Sequence, residues 1–357
     1  MLVITALPAA LLVAVVATPL AGGLARRLGI LDRPGPLKVQ RKPVPYLGGL
    51  AVFAATSAVA GGFRPGLLIP LALALALGLA DDARDIGAGT RLLCEIGIGI
   101  VAGLLLSTGL AGVLGPAATA VAVVTLLNAV NLIDGLDGLA SGVSMVSALG
   151  FAVLLGGDER ILALALAGAL GGFLVYNRPP ARIYLGDAGS YFVGTALALL
   201  LASAWDGGQS VANGIAAIGL VGAVLGETAV AIIRRWRARR PLFEGDRSHL
   251  YDQLVDRGWP VRRVLVFSIA IQVTLTAVAI VAATGTPAVA AATMLACALA
   301  MLAAVWSGGF LGERHQGGPD DPSRSFGRHA RVPRRTALRP ANGASAGGGH
   351  RAANRGL

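Results

Sequence analysis

The chain has 357 residues, of which 55% are hydrophobic and only 14% charged, with a formal net charge of +11. Soluble domains carry about a quarter charged residues, so a water-soluble globular protein is excluded. Long apolar segments recur along most of the length and point to a polytopic membrane protein, in which backbone hydrogen bonding requires a helical bundle.

The first segment, MLVITALPAALLVAVVATPL, has its positive charges, Arg26 and Arg27, after the apolar run rather than before it. That order predicts a retained first helix with an outside N-terminus rather than a cleaved signal. In chain order the apolar segments lie at roughly 2–22, 47–61, 65–80, 92–107, 112–128, 139–156, 160–177, 191–205, 212–233, 262–283 and 286–306. With the N-terminus outside, only Arg64 and Arg160 of the thirty Lys and Arg fall away from the inner side. Shifting the register by one span destroys this asymmetry, so the positive-inside rule favours an odd number of spans. The predicted fold is therefore all-α, an integral membrane bundle of about eleven transmembrane helices with a cytoplasmic C-terminus. Residues 1–306 form the membrane domain. Residues 307–357 form a basic tail rich in Gly, Arg, Pro and Ser, which is expected to be disordered. The positive charge serves topology and an anionic inner leaflet, and no nucleic acid is needed to explain it. Cys94 and Cys297 lie in apolar runs and fit neither a disulfide framework nor a zinc site.

Under this topology the polar clusters share one side. GLADDARD (78–85) places Asp81, Asp82 and Asp85 where the third span ends. Two readings stand: a solvated helix end with Arg84 and Arg91 pairing the acids, or acids that handle a phosphate and its metal. NAVNLIDGLDGLA (128–140) is more specific. Asn128, Asn131 and Asp134 recur every three residues and are expected along one slowly turning helix face. Gly135 and Gly138 permit a break there, and Asp137 adds a fourth oxygen donor. Such hard oxygen ligands suit magnesium better than zinc.

Between the seventh and eighth spans, NRPPARIYLGDAGSYFVG (177–194) brings Asn177 and Asp187. Ser190 is expected to cap a helix starting at Tyr191, with Gly186 and Gly189 letting backbone N–H groups approach an anion. Asp187 adds a metal ligand, and an ordinary capped turn is the alternative. After the ninth span comes a long basic loop with Arg247 and His249, a positive-inside anchor with an interfacial helix near 247–258 or a sugar-binding surface. A transporter would need acids near mid-membrane, for which Glu95 and Glu227 are the candidates. A membrane prenyltransferase would use DDARD as a diphosphate motif, leaving GDAGS and the basic loop unexplained.

These residues carry a family resemblance. Together with LDRPGPLKVQRKPVPYLGGLAVF (31–53) and DRSHLYDQLVDRG (246–258), they occur in the order found in polyprenyl-phosphate N-acetylhexosamine-1-phosphate transferases, and the chain resembles the undecaprenyl-phosphate N-acetylglucosamine 1-phosphate branch. The resemblance implies an eleven-helix, multi-pass enzyme of the plasma membrane with a cytoplasmic active site. Its substrates are a UDP-sugar and polyprenyl phosphate, and its cofactor is Mg2+, with Mn2+ as an alternative. A homodimer is compatible with it. By position, Asn131 and Asp187 match magnesium ligands, Asp81 and Asp82 the acidic pair near the lipid phosphate, Asp134 and Asp137 acids of the nucleotide site, and Lys38 a basic residue near the phosphates. Asn128, Asn177, Gly186, Ser190, Arg247 and His249 are expected to contact substrate. The chain departs from the pattern at Gln40, where many relatives carry His, at His249-Leu-Tyr251-Asp252 in place of His-x-His-His, and at Glu227, usually Asp. The longer His-rich signature of the muramoyl-pentapeptide branch is missing, which argues against that substrate and leaves the sugar open.

Overall fold

The computed structural model describes residues 2–33, 42–61, 65–84, 86–106, 114–205, 210–239 and 248–311. Its first half runs α1 (Leu2–Leu28), a short hairpin of β1 (Leu31–Asp32) and β2 (Val44–Pro45), α2 (Gly48–Ala60), α3 (Leu68–Arg84), α4 (Ala88–Leu106) and α5 (Leu114–Ile133). It continues with α6 (Leu139–Leu154), α7 (Gly157–Asn177), α8 (Gly186–Ser203), α9 (Val211–Gly219), α10 (Gly222–Arg237), α11 (Leu250–Asp256), α12 (Val261–Ala283) and α13 (Pro287–Ser307). Within the described residues each of the eleven apolar segments read from the sequence is mostly helix. Among the described residues six helices are long and apolar enough to cross a membrane, namely α1, α4, α5, α7, α12 and α13. Helices α2 and α6, of 13 and 16 residues, are shorter than the ~20 residues of a perpendicular crossing.

The ninth segment departs from expectation. Instead of one span over 212–233, α9 and α10 meet at a 63° bend. Val221 leaves the helical region (φ −117°, ψ 17°), and Gly219 and Gly222 flank the break. Beyond the eleven segments, α11 forms in the basic loop, where an interfacial helix was expected.

Helix α8 is the axis of the molecule. Every residue from Ala188 to Leu200 is buried, as befits a helix that is apolar all round. Helices α2, α3 and α5 pack on it, while α1 lies along α7 and α2. The contacts at the α8 N-terminus are backbone to backbone. A Cβ on Gly49 would stand 2.2 Å from the Gly189 nitrogen, and one on Gly78 would stand 2.4 Å from Ala188. In a bilayer, where helices gain little from excluding water, such small-residue contacts supply the packing energy. They also fix three helix ends against one another, and the polar residues are at those ends.

Candidate active site

Three chain segments meet around the first turn of α8. The strand leading into α2 is sewn to the loop preceding α8: Tyr184 N–H donates to Pro45 O at 2.9 Å, Gly48 N–H to Tyr184 O at 3.0 Å and Gly49 N–H to Leu185 O at 2.8 Å. Helix α8 then begins at Gly186, whose φ of +74° is open to glycine at little cost. Its N-terminal N–H groups are met by Asp82 from the last turn of α3. Oδ1 accepts from Asp187 N–H at 3.0 Å, and Oδ2 from Ala188 N–H at 3.2 Å. The expected cap by Ser190 is therefore corrected. The helix starts four residues before that serine, and its anion is a carboxylate 105 residues away in the chain. Ser190 lies inside the helix and donates to Asn131 Oδ1 at 3.2 Å and to Asp187 O at 3.3 Å.

The end of α5 supplies the facing wall. The helix stops at Ile133, so Asp134 stands on the turn that follows, and Asn128, Asn131 and Asp134 do not share one face. At about 100° per residue, positions six apart are already about 120° apart around an α-helix. Asn131 faces Ser190, whereas Asn128 faces α4, donating to Glu95 Oε2 at 2.6 Å and to Val124 O at 2.9 Å. Asn131, Asp134, Gly186 and Asp187 line a cleft of about 300 Å3, closed by Tyr46 on one side and by His249, Tyr251 and Asp252 on the other. His249 stacks on Tyr251 (ring centroids 5.3 Å, 17° between planes), and the Tyr251 hydroxyl donates to Leu132 O at 3.0 Å. A Cβ on Gly135 would meet that hydroxyl at 2.2 Å, so glycine there lets the tyrosine close the cleft.

The other expected site residues stand away from the cleft walls. Asp81 is buried, accepting from the Tyr191 hydroxyl at 2.5 Å and from Ile86 N–H at 2.7 Å, with Arg91 Nη1 at 3.5 Å. Arg91 Nε also lies 3.5 Å from Glu95, so the adjacent acids of DDARD face opposite ways: Asp82 towards α8, Asp81 into a polar network among α3, α4, α5 and α8. Asn177 is buried and ties the loop after α7, accepting from Gly138 N–H and Ser141 Oγ and donating to Ile183 O. Asp137 accepts from Ala181 N–H at 2.8 Å. Lys38, Gln40, Asp85 and Arg247 lie outside the described residues.

The cleft is strongly negative. Asp134 is held well above the usual carboxylate range by burial and then by Asp187, Asp82 and Asp137. Burial pushes Asp82 up to about 6, against the two N–H groups it accepts, with Asp81 adding to the rise. Burial raises Asp137 as well. The Tyr46 phenol is pushed far up, by burial first and then by Asp134, Asp187, Asp32 and Asp82. A cation in the cleft would offset the rise at Asp134, which lines it. Among the described residues no three His, Cys, Asp or Glu side chains stand together as a complete metal site. The donor set still fits a hard divalent ion, because magnesium is commonly held by one or two protein carboxylates with water and substrate phosphate completing its shell. Asn131, Asp134 and Asp187 supply such oxygens from two different walls.

Tyr46 and Asp252 were not singled out in the sequence as site residues. The only signal for Tyr46 was its position in a stretch that matches the family pattern. Beyond Tyr251 lies an apolar cavity of about 420 Å3 between α6, α10, α12 and α13, lined by Val143, Leu254, Phe267, Ile271 and Met301 among others. Tyr251 belongs to the walls of both spaces.

Comparison with known proteins gives matching signals. Residues 65–204 match the family model described as glycosyl transferase family 4. The chain is 30% identical over 285 residues to the probable undecaprenyl-phosphate N-acetylglucosaminyl 1-phosphate transferase of Bacillus subtilis (strain 168), covering 72% of this chain and 78% of that protein. It is 31% identical over 297 residues to the decaprenyl-phosphate N-acetylglucosaminephosphotransferase of Mycobacterium tuberculosis, covering 68% and 73% respectively. A shorter match, 34% over 133 residues, is to the phospho-N-acetylmuramoyl-pentapeptide-transferase of Moorella thermoacetica, covering 36% of this chain and 40% of that one.

Proposed function

The chain belongs to glycosyl transferase family 4, and from that premise we propose that it transfers a sugar 1-phosphate, N-acetylglucosamine 1-phosphate or a related N-acetylhexosamine 1-phosphate, from a UDP-sugar to polyprenyl phosphate. The products are polyprenyl-diphospho-sugar and UMP. The observation that carries this reading is the convergence of Asn131, Asp134 and Asp187 on one cleft that shares Tyr251 with an apolar cavity. A substrate with a charged head and a hydrocarbon tail has a use for both spaces. Each buried methylene holds such a tail in the membrane by about 0.8 kcal/mol, so the head must be met where the bilayer ends.

In the reaction an oxygen of the acceptor phosphate bonds to the sugar-side phosphorus, and the bond from that phosphorus to the bridging oxygen breaks. UMP leaves with the electron pair. A phosphate monoester has its second pKa near 6, so much of the acceptor is already dianionic and no strong base is required. Two anions must approach each other, and the residues serve that end. Asp187 and Asn131 would hold Mg2+, with Mn2+ as an alternative, and Asp134 faces the same space. When bound, the ion neutralises diphosphate charge and stabilises the leaving group. Asp82 fixes the first turn of α8 and so aims Asp187 into the cleft. It is a positioning group first, and both its oxygens are engaged in that task. Lys38 and Arg247 are proposed to add positive charge near the phosphates.

The prenyltransferase alternative weakens, because Asp81 and Asp82 face opposite directions and cannot clasp one diphosphate together. The transporter alternative weakens likewise. Glu95 is engaged by Arg91 and Asn128, and Glu227 by the Leu250 N–H. Incubating membranes with radiolabelled UDP-sugars and polyprenyl phosphate decides the matter. Release of UMP with label in the lipid fraction is expected. Diphosphate release, or label moved with no lipid product, would overturn the reading.

A further inference from the structure

The bend between α9 and α10 interrupts a buried apolar segment, where no water is at hand for the freed backbone groups. In an unbroken helix the Ala223 N–H would bond the carbonyl of Gly219, four residues earlier. Here the carboxamide of Gln272, a fully buried residue of α12, is inserted between those two groups. Its Oε1 accepts from Ala223 N–H at 3.0 Å. Its Nε2 donates to Leu220 O at 2.9 Å, to Thr276 Oγ1 at 3.0 Å and, at a longer 3.4 Å, to Gly219 O. A side-chain amide thus replaces a peptide–peptide bond at the point where the chain turns.

The consequence reaches the cleft through direct contacts. Glu227 lies one turn beyond Ala223 on the same side of α10. Its Oε1 accepts the Leu250 N–H at 2.5 Å and lies 3.9 Å from His249 Nδ1. His249 stacks on Tyr251, which is bonded to Leu132 beside Asn131. On the reading of this cleft as the transfer site, we infer that Gln272 is a positioning residue for the sugar-nucleotide side of the reaction: it sets the angle of α10, and through Glu227 that angle places His249 and Tyr251 against the cleft. Gln272 touches no substrate. Its effect is on the shape of the wall, and it belongs in the donor KM.

The test is Gln272→Met, which keeps the side-chain length and removes the polar contacts, and Ala223→Pro, which removes the donor that Oε1 receives. Proline is tolerated in the first turn of a helix. Steady-state kinetics with UDP-N-acetylglucosamine are expected to show the donor KM raised about tenfold in Gln272→Met, with kcat within about twofold, which is the signature of lost ground-state placement. Ala223→Pro is expected to move the donor KM in the same direction by less, and the KM for polyprenyl phosphate is expected to stay unchanged in both. Hydrogen exchange in detergent supplies a readout independent of activity. Peptides over 219–225 and over 248–252 are expected to lose protection together, while those of α1 and α7 do not. If 219–225 loosens and 248–252 keeps its protection, or if kcat falls with the donor KM unmoved, the inference is overturned. Should Gln272→Met fail to fold, Ala223→Pro decides by the same two measurements. Should the wild type turn over neither UDP-N-acetylglucosamine nor another UDP-N-acetylhexosamine, that failure counts against the proposed reaction, and the exchange pattern alone decides the coupling.

Discussion

Asp187, whose N–H is held by Asp82, and Asn177 are expected to differ in what their removal does. Asp187→Ala deletes an oxygen facing the cleft. Turnover is expected to fall about 100-fold or more, as when one charge-stabilising group leaves a preorganised site. Protection of the fold by Mg2+ should vanish with it. Asn177→Ala tests a residue that the sequence offers as a substrate contact and the structure ties into a loop. Its loss leaves Gly138 N–H, Ser141 Oγ and Ile183 O without their partner, at about 1–3 kcal/mol for each buried group left unsatisfied. A lower melting temperature in detergent with unchanged donor KM is expected, and the reverse pattern would return Asn177 to the cleft. The pH dependence follows from the raised carboxyls. Asp82 titrates in the fold near 6 against an ordinary 3.8. Between those values the unfolded chain has released a proton that the folded chain retains, so stability falls as pH rises through that window and is flat below it. Asp134, raised by burial and by Asp187, Asp82 and Asp137, adds a fall of the same sign. Thermal melts with a chelator present should therefore decline from about pH 4 upward, Asp134→Asn should make the decline shallower, and added Mg2+ should oppose it. A metal-free melting curve that rises across pH 4–7 by the same amount in wild type and Asp134→Asn would refute this account of the cleft.

The helices were legible as elements because hydropathy is local, whereas their ends depended on partners far away in sequence. Helix α8 begins at Gly186 rather than Tyr191 because Asp82 reaches it from α3. The ninth segment divides because Gln272 accepts Ala223 N–H from 49 residues downstream. Neither fact can be read from the segment concerned. Asn128 and Asn131 were legible as polar residues on an apolar helix, but the three-residue repeat did not reveal that one faces Glu95 and the other Ser190. The glycines of YLGGL and GLADD carry a prediction at this scale. Gly78→Ala would place a methyl group 2.4 Å from the Ala188 backbone, forcing α3 and α8 apart at the turn that holds Asp187. Overpacking of this kind costs about 1–3 kcal/mol. Activity is expected to fall further than the melting temperature implies, because the displacement is centred on the site. Gly97→Ala on α4, where a Cβ meets nothing within 4 Å, should leave both activity and melting temperature unchanged. Equal effects of the two substitutions would refute the packing argument.

For the whole molecule, the charge pattern and the site make one joint demand. Asn131, Asp134 and Asp187 gather at the ends of α5 and α8, on the side where α3 ends at Arg84 and the loop before α8 carries Arg182. On the proposed reaction the sugar nucleotide comes from the cytosol, so this end is expected to face inward and the turns carrying Asp158 and Thr284 outward. Labelling of single cysteines in intact cells tests this once Cys94 and Cys297 have been replaced. Cysteines at Asp158 and Thr284 should react with a membrane-impermeant maleimide added outside, and cysteines at Arg84 and Arg182 only after the membrane is opened. The break at Gly219–Gly222 makes this experiment more than a check on positive charge. If the segment 212–233 crosses despite its 63° bend, the Asp158 and Thr284 turns lie on the same face, with two crossings between Asp158 and the start of that segment and two more from its start to Thr284. If it enters and leaves by one side, Thr284 changes faces relative to Asp158, and the two cysteines would label from opposite sides. Labelling of both from outside is the expected result, and it would make α10 the arm that carries its own crossing to the His249 loop.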